Sequence, residues 1–434
     1  MLAGYYTLAG LYTLAASVIW GVNTLFLLDA GLSFFEVFVA NAAFSAGTVL
    51  FELPTGIVAD TLGRRVSFLL SASLLTVSTL VYVLLAQVAA GVVPFVLASV
   101  LMALGFTFYS GAVEAWLVDA LEATGFEGSL DRVFARGQQV TGAAMLVGTV
   151  GGGLLGELDL SVPYVVRSAL LVVVLVVAYL RMHDLGFTPH RVSPRALPRE
   201  ASVVARDGVV YGWRVRPIRL VITAGAIQAG FASWAFYAWQ PYLLDLLGRD
   251  AVWIAGLVSA GVALSTMAGN QVVEVAARAC GRRSTLLLWA AGIQVVGAVA
   301  VGVFDSFVPA LAALLLVTGS LGVAGPVRQA YIHQLVPGSQ RATLVSFDSM
   351  VAGAGGVGGQ LGLGWLGEAR SIGAAFVAGG LATATALPVL GAVRRLGGRA
   401  DVVRGVRAGV TGSCAGQGLP SVAAVEARSS EAAV

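Results

Sequence analysis

The chain contains no lysine: its 26 basic residues are all arginine, set against 23 acidic residues in a length of 434. Charge of either sign amounts to only 11%, while 58% of the residues are hydrophobic and the mean hydropathy is +0.87. That length would ordinarily suggest two or three soluble domains, but so little charge cannot clothe their surfaces, and a soluble multidomain protein is excluded. Cysteine is nearly absent as well. Cys280 and Cys414 make no framework and no CxxC pair, and three histidines leave little material for a metal site. HExxH, GxSxG, Walker and aspartate-rich prenyl-diphosphate patterns are missing, which argues against an intramembrane enzyme or an ATP-driven machine and implies no cofactor. The near balance of charge gives no reason to expect nucleic acid as a partner, despite a pI near 9.

What the sequence does contain is apolar runs of helical length. A bilayer core of roughly 30 Å takes about 20 apolar residues per helix, so twelve spans would use about 240 residues. Twelve such stretches can be read, at about 7–28, 35–58, 66–88, 93–118, 133–156, 162–182, 218–244, 251–276, 284–304, 307–333, 342–366 and 371–393. The first has no basic run before it, so it is expected to be a retained helix, not a cleaved signal peptide. Residues 183–217 carry Pro189, Pro194, Pro198, Pro217 and many arginines, and they read as a cytoplasmic linker between a bundle at 1–182 and another at 218–395. Residues 396–434, rich in Gly, Ala, Ser and Arg, read as a disordered cytoplasmic tail. If both termini are cytoplasmic, all the arginines except Arg167, Arg249, Arg328 and Arg370 fall on that side, which is the bias that sets topology in a multi-pass inner-membrane protein.

The two halves repeat each other. Leu27, Leu28 and Asp29 recur as Leu243, Leu244 and Asp245; Gly63, Arg64 and Arg65 recur as Gly281, Arg282 and Arg283. Residues 111–119, GAVEAWLVD, align with 325–333, GPVRQAYIH. A common offset in membrane helices is the mark of a parallel repeat about an axis along the membrane normal.

The most specific string is ELPTGIVADTLGRR, Glu52 to Arg65. Its Gly56, Asp60, Gly63, Arg64 and Arg65 stand in the pattern of the loop between the second and third helices of the major facilitator superfamily, which the chain resembles over roughly residues 1–395; Thr61 departs from it, since a basic residue usually follows the acid. The resemblance implies an all-α integral membrane fold of twelve transmembrane helices in two pseudo-twofold-related six-helix bundles. It also implies that Asp60 docks against the eleventh stretch and that Arg64 pairs with an acid at the cytoplasmic end of the fourth, where Asp119 stands. These residues form the expected conformational latch. The glycine-rich run at 148–156 is like that of drug/proton antiporters but lacks their Gly-Pro pair, and close helix packing accounts for it equally. Gly353, Gly355 and Gly358 have nucleotide-loop spacing without a preceding strand and read as packing glycines.

Ionisable groups at membrane depth are costly, so each is a functional candidate. Glu52, Glu114, Arg136, Arg328 and Asp348 all fall toward the cytoplasmic end, where they suit a gate made and broken during alternating access; Glu52 and Glu114 are also the candidates for carrying a proton. Glu114 and Arg328 occupy equivalent positions in the repeat and are expected to pair when that end closes. The resemblance puts the cavity among stretches 1, 4, 7 and 10, which supply Trp20, Asn23, Tyr109, Gln228, Trp234, Tyr237, Gln240 and Gln329. Such aromatic and amide groups suit an apolar or cationic organic molecule better than an anionic one. Trp239 and Tyr242 are expected to form an interfacial belt, and Arg167 to snorkel outward.

The function expected is secondary active transport of a small organic solute, proton-coupled efflux by antiport, in a monomer embedded in the lipid bilayer. Proton-coupled uptake by symport is the alternative within that class, and a membrane-embedded sensor or scaffold the alternative outside it.

Overall fold

The computed structural model describes residues 1–187, 212–248, 251–336 and 341–403. The first half gives helices α1 (Leu2–Ser17), α2 (Asn23–Asp29), α3 (Phe34–Leu62), α4 (Arg64–Gln87), α5 (Val92–Tyr109), α6 (Ala112–Ala123), α7 (Leu130–Gly156) and α8 (Val162–Arg181). The second half gives α9 (Arg216–Leu247), α10 (Val252–Cys280), α11 (Arg283–Val303), α12 (Phe307–Leu335), α13 (Arg341–Ala369), α14 (Ile372–Ala384) and α15 (Ala386–Leu396). Several starts are written locally. Ser33 and Glu36 make a reciprocal capping box on α3, Ser129 accepts from the Arg132 amide at α7, and Pro163 sits in the first turn of α8, where no amide is needed.

Among the described residues ten helices are long and apolar enough to cross a membrane, counting α5 with α6 and α14 with α15. Two of the twelve expected spans fall outside that set. The first is broken by turns at Val18–Val22 into pieces of 16 and 7 residues, and α13 carries eight glycines that dilute its hydropathy. Large apolar side chains such as Leu84, Val176, Trp289 and Val296 are exposed on the outer surface, as contact with lipid requires and contact with water would not tolerate.

The packing of each half repeats that of the other. In the first, α1 lies on α7 and α8, α3 on α5, and α4 on α5 and α8; in the second, α9 lies on α13 and α15, α10 on α12, and α11 on α12 and α14. The halves meet through α2 with α9, α3 with α13 and α7 with α10. The glycine-rich run of α7 is explained there, because a Cβ on Gly153 would press on the Gly256 backbone of α10.

The Gly-Arg-Arg junctions are held alike. Gly63, at φ +107°, turns the chain from α3 into α4, and the Asp184 carboxylate accepts from the Arg65 amide at 2.9 Å. In the second half the Asp401 carboxylate accepts from the Ser284 amide at 2.8 Å and from its hydroxyl at 2.9 Å. Each acid follows the last helix of its half and caps the helix after the Gly-Arg-Arg turn, α4 in the first half and α11 in the second. Asp401 is buried, so residues 398–403, expected as part of a disordered tail, instead fold back onto α11; residues 404–434 lie outside the described residues. Likewise Asp184, expected as linker, is tied to α4, while 188–211 are not described.

Candidate functional site

The break between α1 and α2 leaves backbone groups without helical partners, and one side chain from the other half satisfies two of them. Gln240 of α9 donates through Nε2 to the Trp20 carbonyl at 2.9 Å and accepts at Oε1 from the Thr24 amide at 2.8 Å. The Thr24 hydroxyl donates to the Tyr237 carbonyl at 2.9 Å. Further along the same end, Glu368 accepts from the Ser33 hydroxyl and the Phe35 amide, both at 2.6 Å, and Glu157 accepts from the Trp253 amide at 3.2 Å. Nearer mid-depth the Ser45 hydroxyl donates to Gln360 at 3.3 Å. Among the described residues the polar contacts between halves lie from mid-depth to this end, so the chain is closed there.

Beneath this closure lies a cavity of about 250 Å³, lined by Trp20 and Asn23 from the break, Asn41 of α3, Tyr82 of α4, Arg167 of α8 and Tyr237 of α9. Trp20 and Phe236 separate it from a second, almost wholly apolar chamber of about 380 Å³ bounded by α7, α9, α10 and α12. Of the expected cavity residues, Trp20, Asn23 and Tyr237 are in place. The others are not. Gln240 is the strut just described, Gln228 donates to Gln294 at 2.8 Å, and Tyr109 stacks on Tyr12 with ring centroids 3.5 Å apart. Trp234 is fully buried among Phe38, Phe231 and Phe376, and Gln329 is exposed on α12 away from both chambers. The face that α9 turns to the second chamber carries Phe231, Ala232, Ala235, Phe236 and Trp239, spaced one helical stripe apart, and Trp234 falls off it. Trp239 therefore lines a chamber, and Tyr242 donates to the Val301 carbonyl at 2.9 Å; neither is a lipid-interface belt.

Arg167 corrects the sequence reading most. It does not snorkel: it is 6% exposed and faces the cavity. Its stripe on α8 includes Tyr164, Ser168, Leu171 and Val174, all buried, whereas Val165, Val172, Val173 and Val176 face outward. That periodicity was readable in the sequence. The guanidinium Nη1 lies 3.8 Å from the Met102 sulfur, Nε has no partner, and among the described residues no carboxylate stands within ion-pair distance. Beside it the Tyr164 hydroxyl donates to Asn23 Oδ1 at 2.9 Å and Asn23 Nδ2 donates to Asn41 Oδ1 at 3.2 Å, which leaves Asn41 Nδ2 buried and unpartnered. A cavity whose polar pole is one cation and free donors does not suit the cationic solute that the aromatic residues alone suggested.

At the arginine-rich end the structure brings Asp60, Arg64 and Asp119 together. Arg64 Nη1 is 2.7 Å from Asp60, and its Nε is 3.9 Å from Asp119. Gly56 lies exposed on α3, and Arg65 turns away to the Tyr179 carbonyl at 2.8 Å and over the Tyr179 ring. Asp60 makes no polar contact with α13 among the described residues; residues 337–340, which precede that helix, are not described. Arg328 pairs with Asp348 within its own half, not with Glu114. Glu52, Glu114 and Arg136 are exposed and enter no ion pair among the described residues.

The family model described as Major Facilitator Superfamily matches residues 6–273. An uncharacterized MFS-type transporter, YxaM of Bacillus subtilis (strain 168), is 21% identical over 246 residues, which are 56% of this chain and 58% of that protein, so the match spans little more than half of its length. The nucleoside transporter NupG superimposes with a TM-score of 0.74 at 11% identity, covering 91% of this chain and 99% of NupG. The human organic anion transporter MFSD10 gives 0.61 at 16% identity, covering 90% and 98%. At these identities the structural likeness speaks for the fold alone. The proteins that match are transporters, not enzymes, and the chain belongs to the Major Facilitator Superfamily as a multi-pass membrane protein.

Proposed function

We propose that the chain crosses the cytoplasmic membrane twelve times in two six-helix bundles, with both termini in the cytoplasm. In this reading it works as a monomer and moves a small organic solute by alternating access. The observation that carries this is the placement of the central cavity between a closed end, sealed by Gln240 and Glu368, and an arginine-rich end free of cross-half polar contacts among the described residues. The matching helix pairings of the halves support the two-bundle arrangement. With arginine marking the cytoplasm, the closed end is extracellular and the cavity faces inward, the state from which an exporter loads and into which an importer releases.

In the same reading Asp60, Arg64 and Asp119 latch the cytoplasmic end, and Glu52 and Glu114, which have no ion-pair partner among the described residues, carry the proton that drives efflux. Proteoliposomes test the proposal. A solute that stabilises the purified protein should be moved by it at a rate that follows an imposed pH gradient, and Asp60→Asn should cut that rate sharply without lowering expression. No flux of any stabilising solute would favour a sensor instead, and flux indifferent to the gradient would remove the proton.

A further inference from the structure

The central cavity holds one full charge and nothing to answer it. Among the described residues Arg167 is the sole ionisable group in the lining other than tyrosines, and Asn41 adds a second donor with no acceptor. An unpaired cation at membrane depth is expensive, and truncating it to an apolar side chain would be the cheaper way to fill the space. A charge kept there against that cost needs a counter-charge that arrives from outside the chain. A cation would be repelled, and a neutral polar molecule would leave the guanidinium uncompensated. A dianion would need a second cation, which the lining lacks. The planar fork of arginine matches a single carboxylate through paired hydrogen bonds.

The rest of the lining describes the body of that molecule. Trp20, Phe44, Phe106 and Phe236 give flat apolar walls, and Tyr12 and Tyr237 add ring faces with hydroxyls. At about 250 Å³ the space lies just below the range of roughly 300–1,000 Å³ typical of drug-sized ligands, so a single ring fits and a fused polycycle does not. We propose that the solute of this transporter is a small aromatic monocarboxylate, its carboxylate seated on Arg167 and Asn41 and its ring between Trp20 and Tyr237. This deepens the transport reading and rests on it for the word solute, but the site itself can be tested by binding alone.

The test uses the full chain in lipid nanodiscs, with benzoate, 4-hydroxybenzoate and phenylacetate as probes against the size-matched benzamide and benzylamine. Calorimetry and thermal shift should show saturable binding of at least one carboxylate and at least tenfold weaker binding of the amide and the amine. Arg167→Gln should weaken the carboxylate at least tenfold while the ligand-free melting temperature holds or rises, since no internal partner is lost. Arg167→Lys keeps the charge without the fork; it should bind more weakly than wild type yet still prefer carboxylate to amide. Should Arg167→Gln fail to fold, the Lys variant decides alone. Unchanged affinity in the folded variants would overturn the proposal. So would equal binding of the amine, or no response to any of the three carboxylates up to about 10 mM. Carboxylate binding without flux would count against transport and leave this site standing. Gradient-driven flux of a cation that ignores Arg167 would do the reverse.

Discussion

The Arg167 guanidinium rests 3.8 Å from the Met102 sulfur, a weak acceptor standing where a buried arginine ordinarily meets a carboxylate. The charge is thus uncompensated in the closed-ended state, and the position of Met102 offers a direct handle on it. Met102→Glu places an acid beside the guanidinium. The variant should melt higher than wild type by about 1 °C, the rise expected from about 1 kcal/mol in a chain of this length. It should also lose carboxylate binding, because the internal acid competes. Differential scanning fluorimetry reads the first, calorimetry the second.

Gln240 should act as the keystone of the closed end. Replacing it with Leu strands the Thr24 amide and the Trp20 carbonyl, each costing about 1 kcal/mol or more when buried. The equilibrium should shift toward opening at that end by roughly thirtyfold, since every 1.4 kcal/mol is a factor of ten. With Cys280→Ser and Cys414→Ser as background, the labelling rate of Phe236→Cys from that side measures it directly. Glu368→Ala, which frees only exposed partners, should change the rate less.

The two acid caps should differ in weight. Asp401 is 1% exposed and accepts from both the amide and the hydroxyl of Ser284, while Asp184 is half-buried and serves the single amide of Arg65. Asp401→Ala should therefore lower the melting temperature more than Asp184→Ala, with caps worth about 0.5–2 kcal/mol each. Truncating the chain after Gly397 should reproduce the Asp401→Ala loss.

The latch makes a narrower claim. Arg64 bridges Asp60 and Asp119, so Arg64→Gln should free both acids and reduce transport as far as Asp60→Asn does, and the two changes together should cost little more than either alone. Additive losses in flux would show that Arg64 and Asp60 act separately.

What the sequence made legible was what is encoded locally. Asp60, Arg64 and Asp119, which the structure brings together, lie in one loop and at one helix end. Asp401 was missed because its role depends on the chain returning to α11 after a run of small residues that looks structureless. Gln240 reads as a cavity residue from its helix alone; its partners come from the break between α1 and α2, which hydropathy averages over. Trp234, Gln228 and Gln329 fail for one reason. Membership of a helix does not fix which face looks inward, and at about 100° per residue a single position turns a side chain from cavity to core. Arg167 is the exception. The buried stripe through Tyr164, Ser168 and Leu171 could have placed it inward without any structure.

Alternating access itself is tested most directly by locking the closed end. In the cysteine-free background, Ser33→Cys and Glu368→Cys are joined by an oxidant across the contact that Ser33 and Glu368 make at 2.6 Å, and a cysteine at Phe236 is probed with a membrane-impermeant maleimide from either side. The account predicts that the crosslink abolishes labelling from the Ser33 side, leaves labelling from the arginine-rich side intact, and is reversed by a reductant. Labelling from the Ser33 side at the same rate with the crosslink complete would contradict it.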